Sequence, residues 1–239
     1  MKALLGNAMI NPNARFIDLL CSLPYLENPF IRKRPPITAI QLRKRFNMLD
    51  FESRAVLKRL ATTFYWGQIR LEDTDEALVR QANRLMDELG PSDIRDWQMW
   101  RMDLRTIMSA LRRRKQKQSA PEKQQVWGYG HYVSHITANW NHPTFKLESR
   151  FPWLVEAAEL LETGDSYGLE RHLLSTEWDY YSRLQADQQY SLSEVWLYVM
   201  KWDLVDRWCR YNAEAAKQHF EKLVQNGLKA PLAELRGMS

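Results

Sequence analysis

The sequence predicts an all-α protein, and three observations carry that expectation. Two segments repeat large side chains at 3,4,3,4 spacing: Trp97, Trp100, Leu104, Ile107 and Leu111, then Val195, Tyr198, Trp202, Val205 and Cys209. That spacing puts each set on one face of a helix. Helix-starting patterns recur between them, and no alternating apolar/polar run bounded by turn residues reads as a strand.

The elements follow in order. Residues 11–36 contain Pro12, Pro24, Pro29, Pro35 and Pro36. Proline fixes φ and removes a backbone donor, so this stretch is expected as an extended, docked arm with one short element at Phe16 to Cys21. Thr38 can cap a helix through Met48, with Ile37 as a staple. Asp50 can cap the next, from Phe51 to Trp66, burying Val56, Leu57, Leu60 and Phe64 and stopping at Gly67. Asp73-x-x-Glu76 signals a third, with Leu78, Ala82, Leu85 and Leu89 on one stripe and Gly90-Pro91 as its stop.

The fourth helix opens at Ser92 or Asp93, carries the first spaced set and ends in Arg112, Arg113, Arg114, Lys115, Gln116 and Lys117. Gln118 to Pro121 is the best linker candidate. Beyond it Gly128, Gly130, Asn139 and Pro143 weaken the helical pattern over 124–148. Phe151, Leu154, Ala158 and Leu161 mark a helix closed by Gly164, and Ser166 to Gln185 reads as one or two more. Ser191-x-x-Glu194 is a capping box opening the second spaced helix, and a last helix carries Phe220, Leu223 and Val224 before Gly227. The domain reading is a Pro-rich docking arm over 1–37, a first helical lobe over 38–118 and a second over 119–239, or both lobes as one continuous domain.

With 239 residues and 45% apolar content the chain can bury a sizeable core. No apolar stretch approaches the roughly 20 residues of a bilayer span, and the N-terminus lacks a charged-then-apolar export pattern. Cys21 and Cys209 belong to no CxxC pair, so neither a zinc framework nor a disulfide scaffold is implied, and a reducing cytosol fits. The net charge of +5 is uneven: residues 1–120 hold 22 Lys/Arg and 13 Asp/Glu, whereas 121–239 hold 12 and 16. The first half should attract acidic partners.

Four patterns invite a chemical reading. His131 and His135 would share a helix face, as a metal pair requires, but Tyr132, Val133 and Ser134 between them supply no general base and no third ligand is evident. Two partly buried, hydrogen-bonded histidines are the simpler expectation. Gly128-x-Gly130 lacks the strand, the Lys-Ser/Thr pair and the third glycine of a phosphate cradle. Glu177 and Asp179 diverge on a helix and read as surface carboxylates. The ten tryptophans mostly occupy apolar stripes, where packing explains them better than base stacking. The basic run from Arg112 suits phosphates, acidic protein faces or anionic lipid heads, and equally suits the negative end of a helix dipole.

Three stretches together resemble a known family. Leu19 to Leu26 (LLCSLPYL) is similar to an "SLP-x-L" opening, Trp100 to Lys115 to a helix in which an acidic residue and "L-R-N-I" precede a basic end, and Trp196 to Trp208 followed by Phe220 to Val224 to "Y-x-x-K…R-W…F" helices. That family comprises short bacterial proteins recorded as a domain of unknown function and related to the C subunit (eukaryotic d subunit) of V-type and A-type ATPases. Thr106 stands where the pattern favours Asn, and the chain is shorter than the full three-module subunit. Asp103-Leu104 and Asp203-Leu204, in similar tryptophan-rich helices, hint at a repeated unit.

The resemblance implies a stack of helical modules that receives the central stalk and sits on the membrane rotor ring. It implies a non-catalytic subunit with no cofactor, no metal and no catalytic residue, held on the cytoplasmic face of the membrane through its partners, the other ATPase subunits. Arg101, Arg105, Arg112, Arg113, Arg114 and Lys115 are the candidate partner-binding residues. The alternative is a helical nucleic-acid-binding protein using the basic first half.

Overall fold

The computed structural model describes residues 14–64, 75–122, 125–184 and 189–212. Among these the chain is helical and contains no strand, as the spacing predicts. The expected stops and caps at Gly67, Asp73 and Gly227, and the helix at Phe220 to Val224, lie outside the described residues.

Helix α1 (Ala14–Ser22) buries Phe16 and Leu19, and residues 24–38 then run without helix. Thr38 caps α2 (Ala39–Arg45) with a full capping box: its hydroxyl accepts from the Gln41 amide at 3.3 Å, and its own amide donates to Gln41 Oε1 at 3.0 Å. A 3₁₀ turn, Phe46–Met48, leads to Asp50, whose Oδ1 accepts from the Ser53 amide at 2.7 Å and opens α3 (Phe51–Phe64). Helix α4 (Asp75–Leu89) ends at Gly90, whose φ of +59° ends the helical geometry at a residue that tolerates it.

Ser92, rather than Asp93, caps α5 (Asp93–Lys115). The weakly patterned stretch that follows holds a single short helix, α6 (Val133–Ala138), and a chain of turns. Helix α7 (Trp153–Thr163) closes on left-handed Gly164 with Asp165 N–H bonded to Leu160 O at 3.0 Å, and α8 (Ser166–Arg183) is one helix capped by Asp165. Residues 192–212 form α9. The expected capping box there is incomplete: Glu194 Oε2 accepts from the Tyr190 amide at 2.7 Å, and the Ser191 hydroxyl is buried without a hydrogen-bond partner.

Two apolar clusters form the core. The first gathers α1, the arm, α2, α3, α4, the start of α5, the end of α8 and α9 around Leu60, Trp97, Trp178 and Trp202. The second packs the latter part of α5, Leu104 to Leu111, against Trp127, α6, Phe145, α7 and the start of α8. The clusters therefore do not follow the charge boundary near residue 118: α5 and α8 each run through both, and the first core joins segments from both halves of the chain.

The arm lies on α9 through backbone acceptors. Tyr198 Oη donates to Pro24 O at 2.9 Å, Trp202 Nε1 to Ile37 O at 2.8 Å, and Phe30 meets Trp208 edge-on at 4.9 Å. Proline-rich backbone leaves carbonyls without helical partners, and the amphipathic tips of α9 satisfy them.

Candidate functional site

Helices α5, α8 and α9 meet around a buried charge network. Arg101 on α5 is 1% exposed, and its Nη2 donates to Asp203 Oδ2 on α9 at 3.0 Å. Its Nε lies 3.5 Å from Glu177 Oε2 on α8, an ion-pair contact that makes no good hydrogen bond. Tyr181 Oη donates to the same Glu177 oxygen at 3.3 Å. Arg207, one turn beyond Asp203, binds Glu170 Oε1 at 2.7 Å and reaches Glu177 Oε1 at 3.9 Å. A continuous path of alternating charge, Asp203, Arg101, Glu177, Arg207 and Glu170, thus ties three helices together.

The surroundings decide how these groups titrate. Burial works against the Arg101 charge, yet Tyr181, Glu177 and Asp203 outweigh it and hold the guanidinium above its ordinary value. Burial likewise drives the Tyr181 phenol well above its ordinary range. Half-buried Arg105 is pushed down to about 10 by burial and by the neighbouring Arg101 charge. Lys201 is lowered by burial and sits 4.5 Å over the Trp178 ring.

Glu177 was expected at the surface and is instead 2% exposed, because α8 is covered on that side by both α5 and α9. Asp179 does lie at the surface. The signal for Glu177 was present: with Leu173, Leu174 and Tyr181 at helical spacing, it is a charge inside an apolar stripe. Arg101 carries the same signal between Trp97 and Leu104. Arg101, Glu177 and Asp203 are each no more than 3% exposed, so no external molecule can touch them. Their chemistry is bracing, and Arg101 is thereby removed from the candidate partner-binding surface.

A second constellation docks the loop after residue 125 onto α5. Asp103 Oδ1 accepts from the His131 amide at 2.6 Å and its Oδ2 pairs with His131 Nδ1 at 2.9 Å. Thr106 Oγ1 donates to Tyr129 O at 2.7 Å while accepting from the Tyr129 amide at 3.0 Å. The glycines permit this approach: a Cβ on Gly130, at φ +123°, would sit 2.0 Å from Asp103 Oδ1, and one on Gly128 would sit 2.6 Å from Thr106 Cγ2. Gly128-x-Gly130 is therefore a helix-docking loop. His131 precedes α6 and serves Asp103, whereas His135 Nε2 bonds Phe145 O at 3.0 Å. Both are hydrogen-bonded, as expected, but exposed rather than partly buried. Among the described residues no cluster of three or more His, Cys, Asp or Glu could hold a metal ion.

The basic end of α5 is largely occupied within the fold. Arg113 lies over Trp127 at 5.7 Å, Arg114 donates to the carbonyls of His142 and Pro143 and covers Phe145, and Lys115 donates to Leu161 O at the end of α7. Burial lowers Arg114, opposed by Glu162. Arg112 is exposed. Arg114 and Lys115 thereby satisfy turn and helix-end carbonyls that would otherwise lack partners.

Asp103-Leu104 and Asp203-Leu204 now separate in role: one aspartate receives a loop, the other an arginine. The described residues define an all-α protein braced by a closed ionic network. Residues 57–230 match the family described as "Protein of unknown function (DUF2764)", and the chain belongs to that family. Comparison with curated proteins and with solved structures gave no match. Among the described residues no helix is long and apolar enough to cross a membrane.

Proposed function

We propose that this protein is a non-catalytic subunit of a V-type or A-type rotary ATPase that couples the central stalk to the membrane rotor ring. It would be held at the cytoplasmic face of the membrane by the other subunits. The reading rests on the sequence resemblance, and one structural observation supports it: the three resembling stretches meet. Pro24 of the first accepts from Tyr198 of the third, and Arg101 of the second pairs with Asp203 of the third. Segments far apart in sequence thus belong to one packed body, as parts of a single coupling module would.

A coupling element must pass torque between partners without yielding. Helices cross-braced by buried charge and packed tryptophan suit that task, because a buried network has few geometries that satisfy every member. Within the basic run that both this reading and the nucleic-acid alternative would use, Arg113, Arg114 and Lys115 are engaged inside the fold, so that run favours neither.

Affinity purification of the tagged chain from its own cells, followed by mass spectrometry, tests the proposal. Stoichiometric recovery of central-stalk and rotor-ring subunits is the expected result. Their absence, with the tagged chain folded and abundant, contradicts it.

A further inference from the structure

Helices α3 and α4 run antiparallel, linked by the Arg59–Glu88 ion pair and by Gln81 Nε2 donating to Thr63 Oγ1 at 3.2 Å. Between them lies an open groove of about 1130 Å³. Arg54 and Lys58 line it from α3, and Arg80 and Arg84 from α4. Glu88 is already taken by Arg59, and among the described residues Arg80 has a carboxylate only from Glu76 on its own helix, at 3.7 Å. Arg54, Lys58 and Arg84 pair with no carboxylate among the described residues. Like charges four residues apart repel, so Arg54 with Lys58 and Arg80 with Arg84 weaken the helices that carry them.

We infer that this groove docks an acidic amphipathic helix from a partner protein. The four cations form two rails, each with charges about 6 Å apart along its helix axis. Carboxylates four residues apart on a docked helix repeat at the same distance. The groove is not purely polar: Ala55 and Leu85 line it, and Phe51 stands 79% exposed within it. An exposed phenylalanine beside cations of which Arg54, Lys58 and Arg84 have no carboxylate among the described residues fits a helix whose apolar stripe is flanked by acids. A phosphate backbone would match the cations but leave Phe51 in water. The basic balance of the first half of the chain would steer such a segment toward this face. The inference is independent of the rotary-ATPase reading, because it concerns only the class of segment that the groove accepts.

The test uses the full chain and a 14-residue stapled helix, matching α3 in length, with a leucine stripe flanked by glutamates four apart. A scrambled peptide of the same composition, duplex DNA and phosphatidylserine vesicles serve as competitors. The stapled helix should bind more tightly than all three. Arg54→Glu/Lys58→Glu/Arg84→Glu should weaken it by about tenfold or more, whereas Arg43→Glu/Lys44→Glu on α2 should not. Phe51→Ser should weaken it without changing its salt dependence, and this variant decides the matter if the triple one does not fold. Binding unaffected by the groove substitutions, equal binding of the scrambled peptide, or tighter groove-dependent binding of DNA or vesicles overturns the inference.

Discussion

The two cores of this protein hold the same central helix by different means. Around the first half of α5, side chain meets side chain: buried Arg101 bridges the buried carboxylates of Glu177 and Asp203, and tryptophans fill the space about them. Around the second half, side chain meets backbone: Asp103 and Thr106 grip a glycine loop, and Arg114 and Lys115 grip carbonyls of turns and helix ends. The two modes follow from where regular structure ends. Three long helices leave no spare backbone groups at their crossing, so only side chains can brace it. The loop-rich second core is full of unpaired amides and carbonyls, and charged side chains become its caps.

Four sets of substitutions probe that contrast. The largest effect is expected from Trp202→Ala, which removes a 4% exposed indole from the first core together with its bond to Ile37 O. The expected loss is about 3–5 kcal/mol, read by urea denaturation, with release of the arm seen as faster proteolysis near residues 24–37. A loss below about 1 kcal/mol would show that the arm and α9 are not packed as described.

Arg101→Met should cost about 3–5 kcal/mol as well, because Glu177 loses its nearest cation and Asp203 is left buried without one. Its partner experiment separates charge from packing: Arg101→Met/Glu177→Gln/Asp203→Leu should regain much of the loss. If the triple variant is no better than the single one, the network is not the brace at this crossing.

Gly130→Ala probes the second region. Left-handed backbone and the contact with Asp103 both oppose a Cβ, so the expected cost is about 1–3 kcal/mol. Hydrogen exchange should quicken at the Tyr129 and His131 amides while α9 keeps its protection. Equal quickening in both regions would mean that the cores open as one.

The smallest effects are expected at the end of α5. Arg112→Glu should change stability by no more than about 0.5 kcal/mol, as exposed substitutions do. Arg114→Ala should cost about 1 kcal/mol or more, through the carbonyls it leaves unbonded. Equal values for the two would deny Arg114 its role as a cap.

Much of this architecture was legible in the residues. The 3,4,3,4 spacing located α5 and α9, and Thr38, Asp50 and Gly164 marked helix ends where the structure has them. The buried face of α9 is wider than its 3,4,3,4 stripe, because it also takes in Trp196, Val199, Met200, Leu204 and Trp208. One-face periodicity describes a helix covered on one side, and α9 is enclosed. The charge network was harder to find because an isolated arginine or glutamate is ordinarily exposed. Only its position within an apolar stripe betrays burial, and only three-dimensional packing supplies the partner. The loop over 125–151 has no period to read, since its order comes from single contacts with α5 and not from a repeat.

In the role we propose, this braced body transmits torque between a soluble motor and a membrane ring. Inverted membrane vesicles from cells with and without the chain test it directly, with ATP hydrolysis and ion uptake measured on the same preparation. Without the chain, ion uptake should be lost while the soluble head still hydrolyses ATP, and restoring the wild-type chain should recover uptake. Uptake at the wild-type rate in vesicles that lack the chain would contradict the account.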